Sequence, residues 1–154
     1  MSIEAGQPAP DFTLPSDTEG DVTLSGLIGR PVVLYFYPKD DTPGCTTEAC
    51  DFRDRMARVA AAGATVLGVS RDSVKRHAGF RSKYSLNFPL LSDSEGEVHR
   101  LYGAWGEKKM YGRTTVGPIR TTVLIDAQGR VSRVWSSVKV KGHADAVLEA
   151  LAAL

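Results

Sequence analysis

The sequence predicts an α/β fold, a central mixed sheet flanked by helices with a β extension at the N-terminus, and three observations carry that prediction. PVVLYFYP (31–38) and ATVLGVS (64–70) are nearly unbroken apolar runs rich in β-branched and aromatic residues, the pattern of strands buried on both faces. Between them Cys45, Ala49, Phe52, Met56, Val59 and Ala60 recur at helical spacing, and Gly63 stands where a helix stops. Towards the C-terminus IRTTVLID (119–126) and RVSRVWSSV (130–138) flank AQG, the signature of an antiparallel hairpin.

Taken in order, DFTL (11–14) and DVTL (21–24) flank the turn-rich SDTEG and predict a pair of short strands that extends the sheet. The run 31–38 is the candidate central strand. With the helix that follows and the strand 64–70 it forms a βαβ unit whose parallel crossover should be right-handed. A second helix is expected over 73–84, a short strand at FPLL (88–91), a short helix over 97–102 and a Gly-rich, basic loop over 103–118. After the hairpin, an amphipathic helix from about His143 closes the chain through Val147, Leu148 and Leu151. Parallel βαβ followed by a β-hairpin and a terminal helix is the order of a thioredoxin-like fold. No internal repeat or linker interrupts the 154 residues, so residues 1–154 are expected to form one domain with its own core.

Composition narrows the function. With 42% hydrophobic and 24% charged residues the chain lies near the soluble globular average. Nineteen basic against eighteen acidic residues leave a formal charge of +1, and the Lys and Arg residues are scattered rather than massed in a stripe, which argues against nucleic acid as a partner. No apolar run approaches the ~20 residues of a membrane helix. MSIEAGQPAP lacks the basic and apolar regions of a signal peptide, so no membrane partner and a cytoplasmic location are expected. In a reducing cytosol, two cysteines point to reactive or metal-binding thiols rather than structural staples.

Both thiols fall in YFYPKDDTPGCTTEAC (35–50). A thiol reacts as thiolate, and Cys45 sits at a predicted helix N-terminus, where unsatisfied N–H groups favour an anion. Its place on the apolar stripe aims it towards the sheet, where an unpaired anion is costly. Asp40, Asp41 and Glu48 oppose that anion, so a cation from elsewhere in the chain is implied. Cys50 lies roughly 140° around the helix and should be partly exposed, with its Cα about 8 to 9 Å from that of Cys45. A disulfide tolerates about 7 Å, so joining the two sulfurs requires the first turns of the helix to unwind.

PKDDTPGCTTEAC resembles the active-site segment of the peroxiredoxins, in which a Pro, three residues, a Thr, two residues and the peroxidatic Cys follow in order, here Pro38, Thr42 and Cys45. Cys50 resembles the resolving cysteine of the bacterioferritin comigratory protein and peroxiredoxin Q subfamily. The likeness extends through YGAWGEKKMYGR and IRTTVLID, whose Arg120 matches the family's active-site arginine and supplies the missing cation. It implies a thiol peroxidase acting on hydrogen peroxide and organic hydroperoxides, with no metal or organic cofactor. On that resemblance Cys45 is oxidised to sulfenic acid, Arg120 holds the thiolate and the peroxide oxygens, Thr42 hydrogen-bonds the peroxide, and Pro38 covers the sulfur. Glu48 orients Arg120, Cys50 forms the disulfide with Cys45, and thioredoxin or a similar dithiol restores both thiols in a monomeric enzyme.

Other chemistries fit less well. The CxxxxC spacing has no second pair, and His77, His99 and His143 are scattered without ligand spacing, which argues against zinc. A Cys and His hydrolase would need one of those histidines beside Cys45. A thioredoxin-like dithiol oxidoreductase would want CxxC at the helix head. The rival outside enzymes is a redox-responsive binding protein switched by the same disulfide, which would oxidise once and bind where a peroxidase turns over repeatedly. Trp105 and Tyr111 would line either a substrate mouth or a subunit contact, or simply pack their Gly-rich loop.

Overall fold

In the computed structural model, which describes residues 3–154 (for residue 110 the backbone alone), β3 (Val32–Phe36) is the middle of the molecule. Met1 and Ser2, the start of the segment read for a signal peptide, lie outside the described residues. Strand β3 pairs in parallel with β4 (Thr65–Ser70), and β4 with β5 (Leu90–Ser92). Its other edge pairs antiparallel with β8 (Thr121–Ile125), which pairs with β9 (Val131–Trp135). The order β5-β4-β3-β8-β9 is the mixed sheet of the expected thioredoxin-like fold.

Every residue of β3 is buried, because its side chains alternate between two apolar layers. Val33 and Tyr35, with Tyr37 just beyond the strand, face one layer containing Cys45, Phe52, Val147 and Leu148. Those partners come from α1 (Pro43–Asp54) and α5 (His143–Ala152). Leu34 and Phe36 face the other layer, with Phe12, Leu14 and Tyr102. Helix α3 (Val74–Tyr84) lies on the first side through Phe80, and the short α4 (Glu97–Leu101) on the second through Val98.

The N-terminal strands β1 (Thr13–Pro15) and β2 (Asp21–Thr23) form a two-stranded sheet of their own, joined to the central sheet by a bridge from Ser16 to Leu91. The covered carboxylate of Asp17 in their turn accepts from Arg81 of α3 and from the backbone N–H of Leu90, fastening the hairpin to the sheet edge.

Two expectations need correction. The single helix expected after β3 is two, α1 and α2 (Met56–Ala61). Arg55 leaves helical geometry at φ −111° and ψ 6°, and its guanidinium turns back to the carbonyl of Asp51 at 2.9 Å while reaching Asp145 of α5 at 2.7 Å. The break therefore follows from a tertiary contact rather than from a Pro or Gly. The expected loop over 103–118 is a hairpin, β6 (Trp105–Met110) against β7 (Arg113–Pro118). Tyr111 and Gly112 both take left-handed φ, 52° and 76°, the geometry of a type I′ turn whose twist matches paired strands.

Candidate active site

The turn after β3 delivers the chain into α1. Thr42 is extended at φ −98° and ψ 155°, and Pro43 occupies the first helical position, where its missing N–H costs nothing and its fixed φ is already helical. Thr42 does not cap the helix with its side chain; its hydroxyl donates to the carbonyl of Lys39 at 2.8 Å. That uses its hydrogen and leaves its lone pairs to accept. Cys45 is then the third helical residue, with a backbone N–H among those a helix leaves without an internal acceptor.

Cys45 is 2% exposed and belongs to the buried cluster that also holds Tyr35, Tyr37 and Phe52. Arg120 immediately precedes β8, and the pairing of β8 with β3 brings it over the start of α1. Its Nη2 donates to Cys45 Sγ at 3.3 Å and its Nη1 to Glu48 Oε1 at 2.7 Å. Glu48, one turn after Cys45 on the same helix face, is 1% exposed. Its burial pushes its carboxyl up to about 7, although the Arg120 guanidinium pulls the other way. Burial also works against the charge on Arg120, but Glu48 and Cys45 outweigh it and keep the guanidinium above its ordinary value. Gly44 makes room for this approach, since a Cβ there would lie 3.2 Å from Arg120 Nη2.

Pro38 and Arg120 line an open depression together with Lys108, Ile119 and Val138. Lys108 comes from the β6–β7 hairpin, and its ammonium is lowered by partial burial and by the neighbouring Arg120. The sequence reading missed both Gly44 and Lys108. A glycine immediately before the predicted helix N-terminus was the available signal for one; nothing local marks the other. Trp105 and Tyr111, the aromatics singled out instead, do not line the depression. Trp105 packs edge-on to His99 beneath the guanidiniums of Arg71 and Arg100, and Tyr111 is 96% exposed at the hairpin turn.

Cys50 is half-buried on the same intact helix, and both thiols are free. The three histidines are engaged away from Cys45: His77 with Asp40, His99 with Asp93, and His143 with Thr122. Among the described residues no group of three His, Cys, Asp or Glu is placed to hold a metal ion, and no helix is long and apolar enough to cross a membrane.

A buried thiol at the head of a helix, under a guanidinium contributed by a neighbouring strand of a thioredoxin-like sheet, defines the class of thiol-dependent peroxidases. The chain belongs to the AhpC/TSA family, whose model matches residues 5–134, and within it to the bacterioferritin comigratory protein and peroxiredoxin Q group of peroxiredoxins. It is 47% identical to the peroxiredoxin Bcp of Bacillus subtilis over 98% of this chain and 96% of that protein. With the peroxiredoxin Bcp of Xanthomonas campestris it shares 48% identity over 95% of this chain and 92% of that one. The solved structure of the X. campestris bacterioferritin comigratory protein superposes with a TM-score of 0.90 at 44% identity, covering 97% of this chain and 98% of that chain.

Proposed function

We propose that this thiol peroxidase reduces hydrogen peroxide and organic hydroperoxides through Cys45, with Cys50 as resolving thiol. The observation that carries the reading is the Arg120 guanidinium, which donates at once to Cys45 Sγ and to the buried Glu48. In that fork Glu48 fixes the plane of the guanidinium, which favours the sulfur anion and offers donors to the negative charge that develops on the peroxide. Thr42 accepts a hydrogen bond from the peroxide hydroxyl, and Pro38 limits water at the sulfur. The thiolate attacks one peroxide oxygen, the O–O bond breaks, and the other oxygen leaves as water or alcohol after taking a proton, so Cys45 becomes a sulfenic acid.

The helix holds Cys45 and Cys50 too far apart to bond, so the first turns of α1 unwind before the Cys50 thiolate attacks the Cys45 sulfur, breaking the S–O bond and releasing hydroxide, which takes a proton from solvent to become water. A dithiol of the thioredoxin type then reduces the disulfide by exchange. We place this chemistry in one domain acting as a monomer in the reducing cytoplasm, with no metal or organic cofactor. The test is peroxide consumption driven by thioredoxin and its reductase, with mass analysis of the oxidised chain. Turnover lost in Cys45→Ser, and a Cys45–Cys50 bond in wild type after one equivalent of peroxide, is the expected result. Turnover retained in Cys45→Ser rejects it.

A further inference from the structure

Pro38 and Thr42 shape the peroxide site, yet the turn that carries them has little hold of its own. The Thr42 hydroxyl bonds within the turn, to Lys39. What ties the turn to the rest of the molecule is the pair of aspartates between them. Asp40 is 2% exposed, and its Oδ1 accepts from the Tyr37 hydroxyl at 2.5 Å while its Oδ2 faces His77 Nδ1 at 2.6 Å. His77, fully buried on α3, reaches the carbonyl of Leu91 on β5 with Nε2 at 2.9 Å. The backbone N–H of Asp40 donates to Asp72 at 2.8 Å. Asp41 sits at φ 59°, a left-handed backbone that L side chains rarely adopt. Its carboxylate accepts from Lys83 and from the Tyr84 hydroxyl, each at 2.8 Å.

A carbonyl only accepts, so His77 Nε2 carries a hydrogen, and a second proton lies between Nδ1 and Oδ2. Every hydrogen-bonding atom of the pair is thereby engaged inside the core. The sequence alone placed Asp40 among groups unhelpful to the thiolate; its partner lies 37 residues away.

We propose that His77 and Asp40 are positioning residues of the peroxidase reaction, acting through the turn that sets Pro38 and Thr42 against Cys45. The same clamp fixes the upstream boundary of the segment that unwinds. At the downstream boundary Arg53 donates to the Tyr84 carbonyl at 2.7 Å, so the end of α3 holds both sides of that segment. This inference rests on the peroxidase reading of Cys45.

The experiment uses a Cys50→Ser parent, so that Cys45 is the one thiol followed by mass. Two rates are compared: oxidation by hydrogen peroxide, which needs Thr42 and Pro38 in place, and alkylation by iodoacetamide, which needs the thiolate and access to it but no hydrogen bond from Thr42. His77→Ala should slow oxidation about 10-fold and leave alkylation within about 2-fold. Asp40→Asn should keep oxidation within about 3-fold of the parent, because an amide can accept from Tyr37 and donate to a neutral His77. Tyr37→Phe, which removes one hydrogen bond and keeps the ring, should slow oxidation about 3-fold with alkylation unchanged, and decides the matter if His77→Ala does not fold. Unchanged oxidation, two rates falling in step, or a loss in Asp40→Asn as large as in His77→Ala would overturn the proposal. A parent that gains no oxygen at Cys45 would instead remove the peroxidase reading beneath it.

Discussion

At the Cys45 end of α1 the sulfur is enclosed in the aromatic-rich cluster that includes Tyr35, Tyr37 and Phe52, and is met by a guanidinium that sits 75 residues further along the chain. At the Cys50 end, less than two turns away, the sulfur is half-buried beside the charged Asp51 and Arg53. One end is organised by contacts from far along the chain, and the other is the end that the proposed mechanism requires to move. On the proposed mechanism, the difference teaches that the helix serves two incompatible demands in sequence. Its first turn must be rigid while peroxide reacts, because orientation of fixed donors lowers the barrier only if they need not reorganise. The same turn must then come apart, because no rotamer of Cys50 closes the remaining distance.

The largest effect expected from breaking this contrast is at the organised end. Arg120→Ala removes the donor to both Sγ and Glu48 and should slow the first oxidation of Cys45 on the order of 100-fold, as loss of a single fixed donor does in other sites. The variant should still fold, since Glu48 already sits near neutrality at about 7 and can keep its proton when its partner goes. Arg120→Lys should recover little, because an ammonium cannot fork between a sulfur and a carboxylate. Single-turnover oxidation followed by mass is the measurement, and a Lys variant equal to wild type would mean that charge alone suffices.

At the movable end the expected effect is of another kind. Cys50→Ser should leave the first oxidation within about 3-fold of wild type, because no step before the sulfenic acid uses that thiol. Turnover with thioredoxin should nearly stop, and the chain should advance to sulfinic acid under excess peroxide. A Cys50→Ser enzyme that still turns over at the wild-type rate would place the resolving group elsewhere.

Gly44→Ala gives a smaller and more selective effect. The new Cβ would lie 3.2 Å from Arg120 Nη2, close enough to push the guanidinium by a few tenths of an ångström. Oxidation should slow about 3- to 10-fold, while the unfolding free energy should stay level or rise by up to roughly 1 kcal/mol, since alanine is the better helix former. A fall in both would mean the helix itself had been disturbed.

The same contrast explains what could be read from the sequence. The organised end is largely local: Thr42, Pro43, Cys45 and Glu48 fall within seven residues, the cap and first two turns of a helix whose apolar spacing and start signal are plain. The five strands of the central sheet were legible for the same reason, as short runs with clear punctuation. What escaped depends on partners far along the chain. The break at Arg55 is made by Asp145, and the fixing of Asp40 by His77, and neither leaves a periodic trace. The β6–β7 hairpin escaped because its turn is Tyr-Gly rather than Asn-Gly, and because Glu-Lys-Lys breaks the alternation that marks a strand. Arg120 was found only through its family motif; by composition it is one arginine among many.

The finest test concerns pH, and it sets the buried Glu48 against His143 at the start of α5. For Glu48 the folded value of about 7 lies above the ordinary 4.5, so between those values the native chain keeps a proton that the unfolded chain has lost, and rising pH removes stability. His143 is the reverse. Burial, with help from Arg120, lowers it from 6.5 to about 4, so the unfolded chain holds the proton and falling pH removes stability across that window. Where the windows overlap, the two slopes of about 1.4 kcal/mol per pH unit oppose each other and nearly cancel. Glu48→Gln removes one side of the balance. Urea unfolding at constant ionic strength should then show the variant losing about 3 kcal/mol relative to wild type as pH falls through the overlap. Parallel stability curves for the two proteins would mean that Glu48 is already ionised there, held by Arg120 against its burial.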